Sequence, residues 1–450
     1  MKKQLLKIFG ILLFANTVSA QSFDPVMAAQ LQNTIDSIRI ANSIKGISAC
    51  VIYPGQGTWK GVTGESYAGV PITSDMEFGI ASNTKLFTGV LTLKLAENNI
   101  INLDDSLHEW LPTFPNIDSN ITIRQLLNHT SGLADVNSVV GYSDSILLDP
   151  FHIYSPTDLM TWVGTPLFAA GTSWSYCNTN YLLAAMIAES STGITYGQLL
   201  HDSILTPLQL DSTFLDVYDA VLGTVTHPWQ SGVDKNSIPR DALNSASWSA
   251  GGMYSTSGEM AQWYQALMSG QVLNNYGFNE MTTFVGSGNY GVGLYETTIL
   301  GRTVWQHGGT IWGGYNSTMM YDTTTQAVIC VLINQNPAQA FLIAKEILSD
   351  LITYPLSVNE NTLQNTSFSV YPNPTSNTLF VKSLQSQSNS VNIEITNSLG
   401  QTVLQQTQTS TSTDGSFSVD LDGVTPGFYF LKITSTSSNE TQVIKFIKQK

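Results

Sequence analysis

ASNTKLFTG, residues 81–89, follows a short strand-like run and opens an apolar helical pattern. If that helix begins at Ser82, the hydroxyl of Ser82 lies at the N-terminus of the helix, and Lys85 follows one turn later on the same face. A serine becomes nucleophilic when a base removes its proton, and a lysine with a lowered pKa can be that base. The N-terminus also offers unpaired N–H groups to an oxyanion. A Ser-x-x-Lys pair is weak evidence by itself, so its interpretation depends on companion motifs.

Composition restricts the classes of protein that this chain can belong to. Its 450 residues are 42% hydrophobic and 11% charged, which is typical of a globular protein of two or three domains. The net charge of −15 argues against nucleic acid as a partner. There is no CxxC or HExxH motif, so the sequence predicts no metal and no other cofactor. Cys50 and Cys330 lie in apolar runs and are interpreted as core residues, although the sequence leaves a disulfide open.

Residues 1–20 have the pattern of a secretory signal peptide. A basic start precedes an apolar run over residues 8–14, and VSA at residues 18–20 forms a small-residue cleavage site. An N-terminal membrane anchor is the alternative, but the apolar run is too short to span a bilayer. We therefore expect cleavage, with no transmembrane segment afterwards.

The pattern of strands and helices predicts the fold class. Strands are expected near residues 47–53 and 58–62, and again at 302–306, 315–321 and 327–334, with a mainly helical middle. Helical patterns at residues 24–42 and 338–351 flank them. The prediction is an α/β (α+β) fold for residues 21–355, with one antiparallel sheet built from both ends, flanking helices and a helical subdomain. Residues 356–367 read as a linker, and the short alternating runs of 368–450 predict a small β-sandwich.

Two further segments carry candidate chemistry. In SYCNTNY, residues 175–181, Tyr176 and Asn178 are two apart, so both can point the same way from an extended loop. A phenol whose proton is drawn off by nearby cations can shuttle protons, and a carboxamide can hold a substrate amide and bond the lysine. In QHGGT, residues 306–310, glycines allow a substrate backbone to approach the strand edge, and His307 would lie at its rim as a proton donor or weak cation. The alternatives are a loop tyrosine with an asparagine helix cap, and a plain strand end.

The motifs together resemble those of serine β-lactamase-like hydrolases. The motifs occur in the family's order: ASNTKLFTG, LLNHTSGL (126–133), SYCNTNY, SAGGMYST (249–256) and HGGTIWGGYNS (307–317). The most similar branch includes class C β-lactamases, D-alanyl-D-alanine carboxypeptidases, D-aminopeptidases and related esterases. The resemblance covers roughly residues 35–351 and implies a sheet domain and a helical subdomain with the site between them.

The resemblance implies a role for each matching residue. Ser82 resembles the acylated nucleophile, and Lys85 resembles the base that works with Tyr176, which protonates the leaving group and activates the deacylating water. Asn178 resembles the contact to the substrate amide and to Lys85. The set implied to bind substrate is Asn178, His307, Gly309 and Thr310, with an oxyanion hole made by the backbone N–H groups of Ser82 and Thr310.

His307 departs from the lysine usual at this position in class C β-lactamases. A histidine that is mostly neutral at pH 7 holds a carboxylate less well than an ammonium, which weakens the antibiotic-hydrolysis reading. Peptidases and esterases of the branch do carry histidine there. His129 of LLNHTSGL is interpreted as structural.

The C-terminal segment resembles the sorting domain that directs cargo through the type IX secretion system of Bacteroidetes-type bacteria. YPNPTSNTLFV, NSLGQTV, GVTPGFYFLKI and the closing KFIKQK carry this resemblance over residues 368–450. A carbohydrate-binding or adhesion β-sandwich is the alternative. We therefore expect an exported, secreted or cell-surface serine hydrolase that acts on an ester, amide or D-amino-acid peptide, with the secretion machinery as its partner. The other hypothesis is an inactive, penicillin-binding-like protein that binds ligand.

Overall fold

The computed structural model describes residues 23–311, 313–354, 368–383, 390–397, 401–409, 416–436 and 441–449. The signal peptide expected at 1–20 and the linker expected at 356–367 lie outside them. The chain divides into two compact units, Met1–Tyr354 and Pro355–Lys450.

The first unit mixes helices and strands along its whole length. Its helices are α1 (Pro25–Ala41), α2 (Thr84–Glu97), α3 (Leu107–Trp110), α4 (Ile123–Leu127), α5 (Tyr142–Leu148), α6 (Pro156–Met160), α7 (Asn178–Thr192), α8 (Tyr196–Leu200), α9 (Thr206–Leu208), α10 (Asp241–Gly251), α11 (Ser257–Met268), α12 (Asn275–Met281) and α13 (Ala340–Thr353). Its strands are β1 (Gly46–Tyr53), β2 (Gly57–Tyr67), β3 (Val70–Pro71), β4 (Phe78–Gly79), β5 (Phe214–Leu215), β6 (Trp229–Gln230), β7 (Val233–Asp234), β8 (Met253–Ser255), β9 (Tyr295–Ile299), β10 (Arg302–Ile311), β11 (Tyr315–Asp322), β12 (Val328–Ile333) and β13 (Gln335–Asn336).

The main sheet is antiparallel and runs in the order β3-β2-β1-β12-β11-β10-β9. Its central strands β1 and β12 come from opposite ends of the unit and are almost wholly apolar, because both of their faces are covered. The prediction of one antiparallel sheet built from both ends is therefore confirmed. Cys50 and Cys330 lie opposite each other in this pair as buried free thiols.

Helices cover both faces of the sheet. On one face, α1 contributes Met27, Leu31 and Ile35 at helical spacing to a core shared with α13. On the other face, α11 packs against β1, β11 and β12, while α2 lies among α7, α10 and α12 and is buried on nearly every side. Polar side chains on α2 are therefore forced into the interior, Lys85 among them.

The turn before α2 differs in detail from the expectation. A 3-10 turn covers Ala81–Asn83, so Ser82 precedes the α-helix, which begins at Thr84. Ala81 has φ +49°, a left-handed conformation that costs energy in a non-glycine residue. Asn83 Nδ2 donates to Ser317 Oγ at 2.8 Å, which ties the turn to β11. The strained turn that carries Ser82 is thus tied to the sheet.

The second unit is made of strands. They are β14 (Phe368–Tyr371), β15 (Thr378–Ser383), β16 (Ser390–Asn397), β17 (Thr402–Thr409), β18 (Ser416–Asp420), β19 (Gly427–Ser435) and β20 (Thr441–Lys448). They form sheets of order β14-β15-β18 and β17-β16-β19-β20 around a shared apolar core, in agreement with the small C-terminal β-sandwich expected. Among the helices of the described residues, none has the length and apolar character needed to cross a bilayer.

Candidate active site

Ser82 and Lys85 lie side by side, with Lys85 Nζ 3.2 Å from Ser82 Oγ. Ser82 is half-buried, whereas Lys85 has no exposed surface. Burial disfavours the ammonium and lowers the pKa of Lys85 to about 7, against the opposing effects of Asp135 and Cys177. A large fraction of this amine is therefore unprotonated near neutral pH, as a general base requires.

Two oxygen acceptors hold the amine in place. Lys85 Nζ donates to Asn178 Oδ1 at 2.6 Å and to the backbone oxygen of Ala250 at 2.7 Å. Asn178 begins α7, and Ala250 lies in the last turn of α10. Three elements distant in sequence therefore converge on one nitrogen atom.

Tyr176 places its hydroxyl near Ser82 and its ring against the amine. Lys85 Nζ lies 4.9 Å from the ring centroid, a cation–π distance. Burial raises the pKa of Tyr176 well above 10, while the adjacent Ser82 hydroxyl lowers it slightly. The hydroxyl makes no well-aligned hydrogen bond to any described residue. Tyr176 is thus a neutral phenol, which corrects the sequence-based idea that nearby cations draw off its proton.

His129, in the segment LLNHTSGL, accepts two hydrogen bonds from the loop that carries Tyr176. Ser175 N donates to His129 O at 3.1 Å, and Cys177 N donates to His129 Nδ1 at 3.2 Å. His129 is fully buried with φ +64°, and burial lowers its pKa well below 6.5. Neutral His129 therefore anchors the loop on both sides of Tyr176.

His307 lies inside the protein, not at the rim where the sequence placed it. It is 2% exposed; its Nδ1 donates to the oxygen of Gly308 at 2.7 Å, and its Nε2 accepts from the Tyr290 hydroxyl at 3.2 Å. Burial lowers the pKa of His307 to about 3. It is thus uncharged and occupied by internal partners, unlike the proton donor or weak cation that the sequence predicted.

Gly309 allows β10 to approach the Ser82 turn. A Cβ atom there would lie 2.3 Å from the oxygen of Ile80 and 2.6 Å from Ser317 Oγ. By contrast, a Cβ atom on Gly308 would meet only Ser317 O, at 3.7 Å. Glycine at position 309 therefore allows the backbone of β10 to pack closely against the backbone at Ile80. The next residue, Thr310, is exposed and lines the cleft.

Replacing Gly309 with alanine is expected to push β10 away from the Ser82 turn, because contacts near 2.3 Å to a backbone oxygen require a shift of the main chain. We expect hydrolysis to fall at least tenfold, since small displacements of reacting groups are costly. The measurement is kcat/KM, with Gly308→Ala as the matched control. Equal losses in the two variants would contradict this account.

A cleft of about 90 Å³ opens beside Ser82. Asn178 and Thr310 line it on two sides, and Tyr142, Leu243 and Ile311 add apolar surface. Within the described ranges, no group of three or more His, Cys, Asp or Glu side chains is placed to hold a metal ion. The cleft is therefore small, and the polar groups at it are the hydroxyl of Ser82, the amine of Lys85 beside it and the amide of Asn178.

The structure brings Ser82, Lys85, Tyr176 and Asn178 together around one cleft edge. Thr310 lines the same cleft, whereas Gly309 and His307 are buried and do not line it. Sequence reasoning missed Asp135, whose Oδ2 accepts from Asn178 Nδ2 at 2.8 Å, and the Ala250 carbonyl. The signal for Ala250 was its place in SAGGMYST, but no pattern marked Asp135.

This fold, with its helical part beside the sheet, is that of the β-lactamase-fold hydrolases. It aligns with a D-stereospecific amidohydrolase from Streptomyces sp. at TM-score 0.61 and 27% identity, over 72% of this chain and 98% of that one. It also aligns with the D-amino acid amidase of Ochrobactrum anthropi SV3 at TM-score 0.65 and 23% identity, over 73% and 99%, which shows the fold alone.

The chain belongs to the beta-lactamase family, which it matches over residues 24–351. Residues 369–449 match the secretion system C-terminal sorting domain. Both resemblances seen in the motifs are thus confirmed.

Curated relatives match only in part. Penicillin-binding protein 4* of Bacillus subtilis (strain 168) is 33% identical over 147 residues, which is 32% of this chain and 31% of that protein. The D-aminopeptidase of Gluconobacter oxydans (strain 621H) is 25% identical over 304 residues, 66% of this chain and 57% of that protein. The chain therefore spans between 31% and 57% of the length of these relatives.

Proposed function

We propose that this protein is an exported serine hydrolase that works through an acyl-enzyme on Ser82. The observation that supports it most is the fully buried amine of Lys85, 3.2 Å from Ser82 Oγ, with its pKa lowered to about 7. Burying an ammonium costs on the order of several kcal/mol. A lysine with no role in the reaction would therefore only destabilise the fold at this position. Perturbed groups in clefts favour a functional site.

The geometry supports the following reaction. Ser82 Oγ attacks the substrate carbonyl carbon while its proton passes to Lys85 Nζ. The oxyanion is stabilised by the N–H groups of Ser82 and Thr310, near the N-terminus of α2. Tyr176, a neutral phenol, gives its proton to the leaving group and recovers one from the Lys85 ammonium. Water then attacks the acyl ester and gives a proton to Lys85 and Tyr176. The same pair returns a proton to Ser82 Oγ as its bond to the acyl carbon breaks, which releases the acid and restores Ser82.

The substrate we favour is an amide or peptide of a D-amino acid with a small side chain, ahead of an ester or a β-lactam. Relatives named D-aminopeptidase and D-stereospecific amidohydrolase support the amide. The cleft beside Ser82 is small, about 90 Å³, which suits a small side chain. Neutral, buried His307 offers no cation for a lactam's carboxylate.

The deciding experiment compares a D-alanyl amide, a D-alanyl-D-alanine peptide, a short-chain p-nitrophenyl ester and a cephalosporin. Highest kcat/KM for the D-alanyl amide would support the proposal, and preference for the ester would favour an esterase. No turnover of any of them, with retained binding of penicillin, would instead support the inactive ligand-binding protein.

The second unit is proposed to direct secretion and then to be removed. Its own apolar core and the placement of all candidate site residues in the first unit support this division. We expect a chain that ends at Tyr354 to keep kcat/KM within about twofold of the full chain, because no residue of the site is lost. The measurement is steady-state kinetics on both chains, with intact mass of the exported protein.

Two outcomes would contradict this. Activity that depends on residues 368–450, or an exported protein that keeps them, would instead support a binding module for carbohydrate or adhesion.

A further inference from the structure

Lys85 Nζ has three neighbours, and their chemistry decides where its lone pair points. A neutral amine has two N–H donors and one lone pair. The Ala250 oxygen can only accept, and Asn178 presents Oδ1, which also only accepts. With both N–H groups taken, the lone pair is left for the hydroxyl of Ser82. The base is therefore aimed at the nucleophile only while Asn178 keeps its oxygen toward Lys85.

An asparagine amide can rotate by half a turn and exchange its oxygen for its NH₂ group. In that state Asn178 would donate to Lys85, compete with Ser82 for the lone pair and leave the nucleophile without its base. When Lys85 is protonated, its three N–H groups would hold the amide oxygen in place. When Lys85 is neutral, which is the working state, something else must do so.

We propose that Asp135 is the positioning residue that fixes the amide of Asn178 and thereby aims Lys85 at Ser82. Asp135 Oδ2 accepts from Asn178 Nδ2 at 2.8 Å, and its Oδ1 accepts from Asn137 N at 3.0 Å. A carboxylate has no donor, so it accepts only the NH₂ side of the amide. Its other oxygen is held by its own turn, so the carboxylate cannot easily swing away.

This inference rests on the proposed function, because an aimed base is needed only if Ser82 is acylated. Asp135 also raises the pKa of Lys85 while burial lowers it. The titratable side chains that face Lys85 from the packed elements are His129, Asp135, Tyr176, Cys177, Tyr181 and His307. Burial favours the neutral form of His129, Tyr176, Cys177, Tyr181 and His307.

The test is Asp135→Asn, which keeps size and shape. An amide accepts only through its oxygen, which would stay on Asn137 N, so the new NH₂ group would face Asn178. That NH₂ group would attract the Asn178 oxygen away from Lys85 and leave the Asn178 NH₂ group facing Lys85. We expect kcat/KM for p-nitrophenyl acetate to fall about tenfold or more at pH 8.5, where Lys85 is neutral in both proteins. The acid limb of the pH profile should also move to lower pH, because a negative charge is lost.

Two controls separate positioning from stability. Asp118→Asn is the matched variant, since Asp118 Oδ1 also accepts a backbone N–H and an amide, both from Asn120, at an exposed turn. It should leave kcat/KM unchanged. In an Asn178→Ala background, Asp135→Asn should cause no further loss at pH 8.5, because the amide through which it acts is gone.

Three results would overturn the inference while leaving the hydrolase intact. They are a wild-type rate for Asp135→Asn at pH 8.5, an unmoved acid limb, or a full further loss in the Asn178→Ala background. Each is read beside labelling of wild-type Ser82 by a fluorophosphonate. If the wild-type protein is neither labelled nor active, the proposed function fails and the inference fails with it.

Discussion

Ser82→Ala is expected to abolish covalent labelling by a fluorophosphonate or penicillin and to lower kcat on the order of 10⁴-fold or more. The alanine removes the atom that forms the acyl bond, so Lys85 is left as a base with nothing to activate. The fold should survive, because only one hydrogen bond of about 1 kcal/mol is lost. Mass spectrometry of the labelled protein and steady-state kinetics on the preferred substrate measure both effects.

A second serine in the cleft provides the control for this experiment. Ser247 also lines it, but its hydroxyl donates to the backbone oxygen of Leu243 at 2.7 Å, within its own helix. Ser247→Ala should therefore keep the label. A label that persists in Ser82→Ala and disappears in Ser247→Ala would identify Ser247 as the nucleophile and would contradict the pairing of Ser82 with Lys85.

The sheet could be predicted because its strands carry local signals. β1 and β12 are apolar runs bounded by turn residues, and their places at the two ends of the unit imply that they pair. The helices α10 to α12 lie in the middle region that was expected to be mainly helical, but no local signal marked them individually. α10 contains a kink at Trp248, with φ 32°, and a buried serine-rich stretch that tertiary packing stabilises where intrinsic propensity does not.

Within the site, motif order indicated which residues meet but not how they are oriented. Ser82, Lys85, Tyr176 and Asn178 were named from sequence. The raised pKa of Tyr176 and the burial of His307 were not, since both depend on elements far away in the chain. Asp135 could not be found at all, because its importance lies in one oxygen atom 2.8 Å from an amide.

The pH profile of kcat/KM is expected to rise through an apparent pKa of about 7 and then to level off. Lys85 must be neutral to take the proton of Ser82, and it is neutral only above its pKa, so activity is lost as pH falls through that value. Tyr176, with its pKa raised well above 10, and His307, with its pKa lowered to about 3, add no limb between pH 5 and 9. A histidine base would instead give a limb that survives replacement of Lys85.

Lys85→Met should remove that limb and lower kcat/KM by about 10²- to 10⁴-fold, because a thioether of similar length cannot accept the proton. Its effect on stability is the difference of two opposing terms. Relief from burying an amine favours the variant, whereas leaving the Ala250 and Asn178 oxygens without a donor costs about 1–3 kcal/mol each. Lys94→Met, on the same helix, loses only a bond to Val272 O at 3.2 Å and should keep the wild-type pH profile. If Lys85→Met retained the limb near pH 7, the base would have to be a different group, and burial of an amine beside Ser82 would need another explanation.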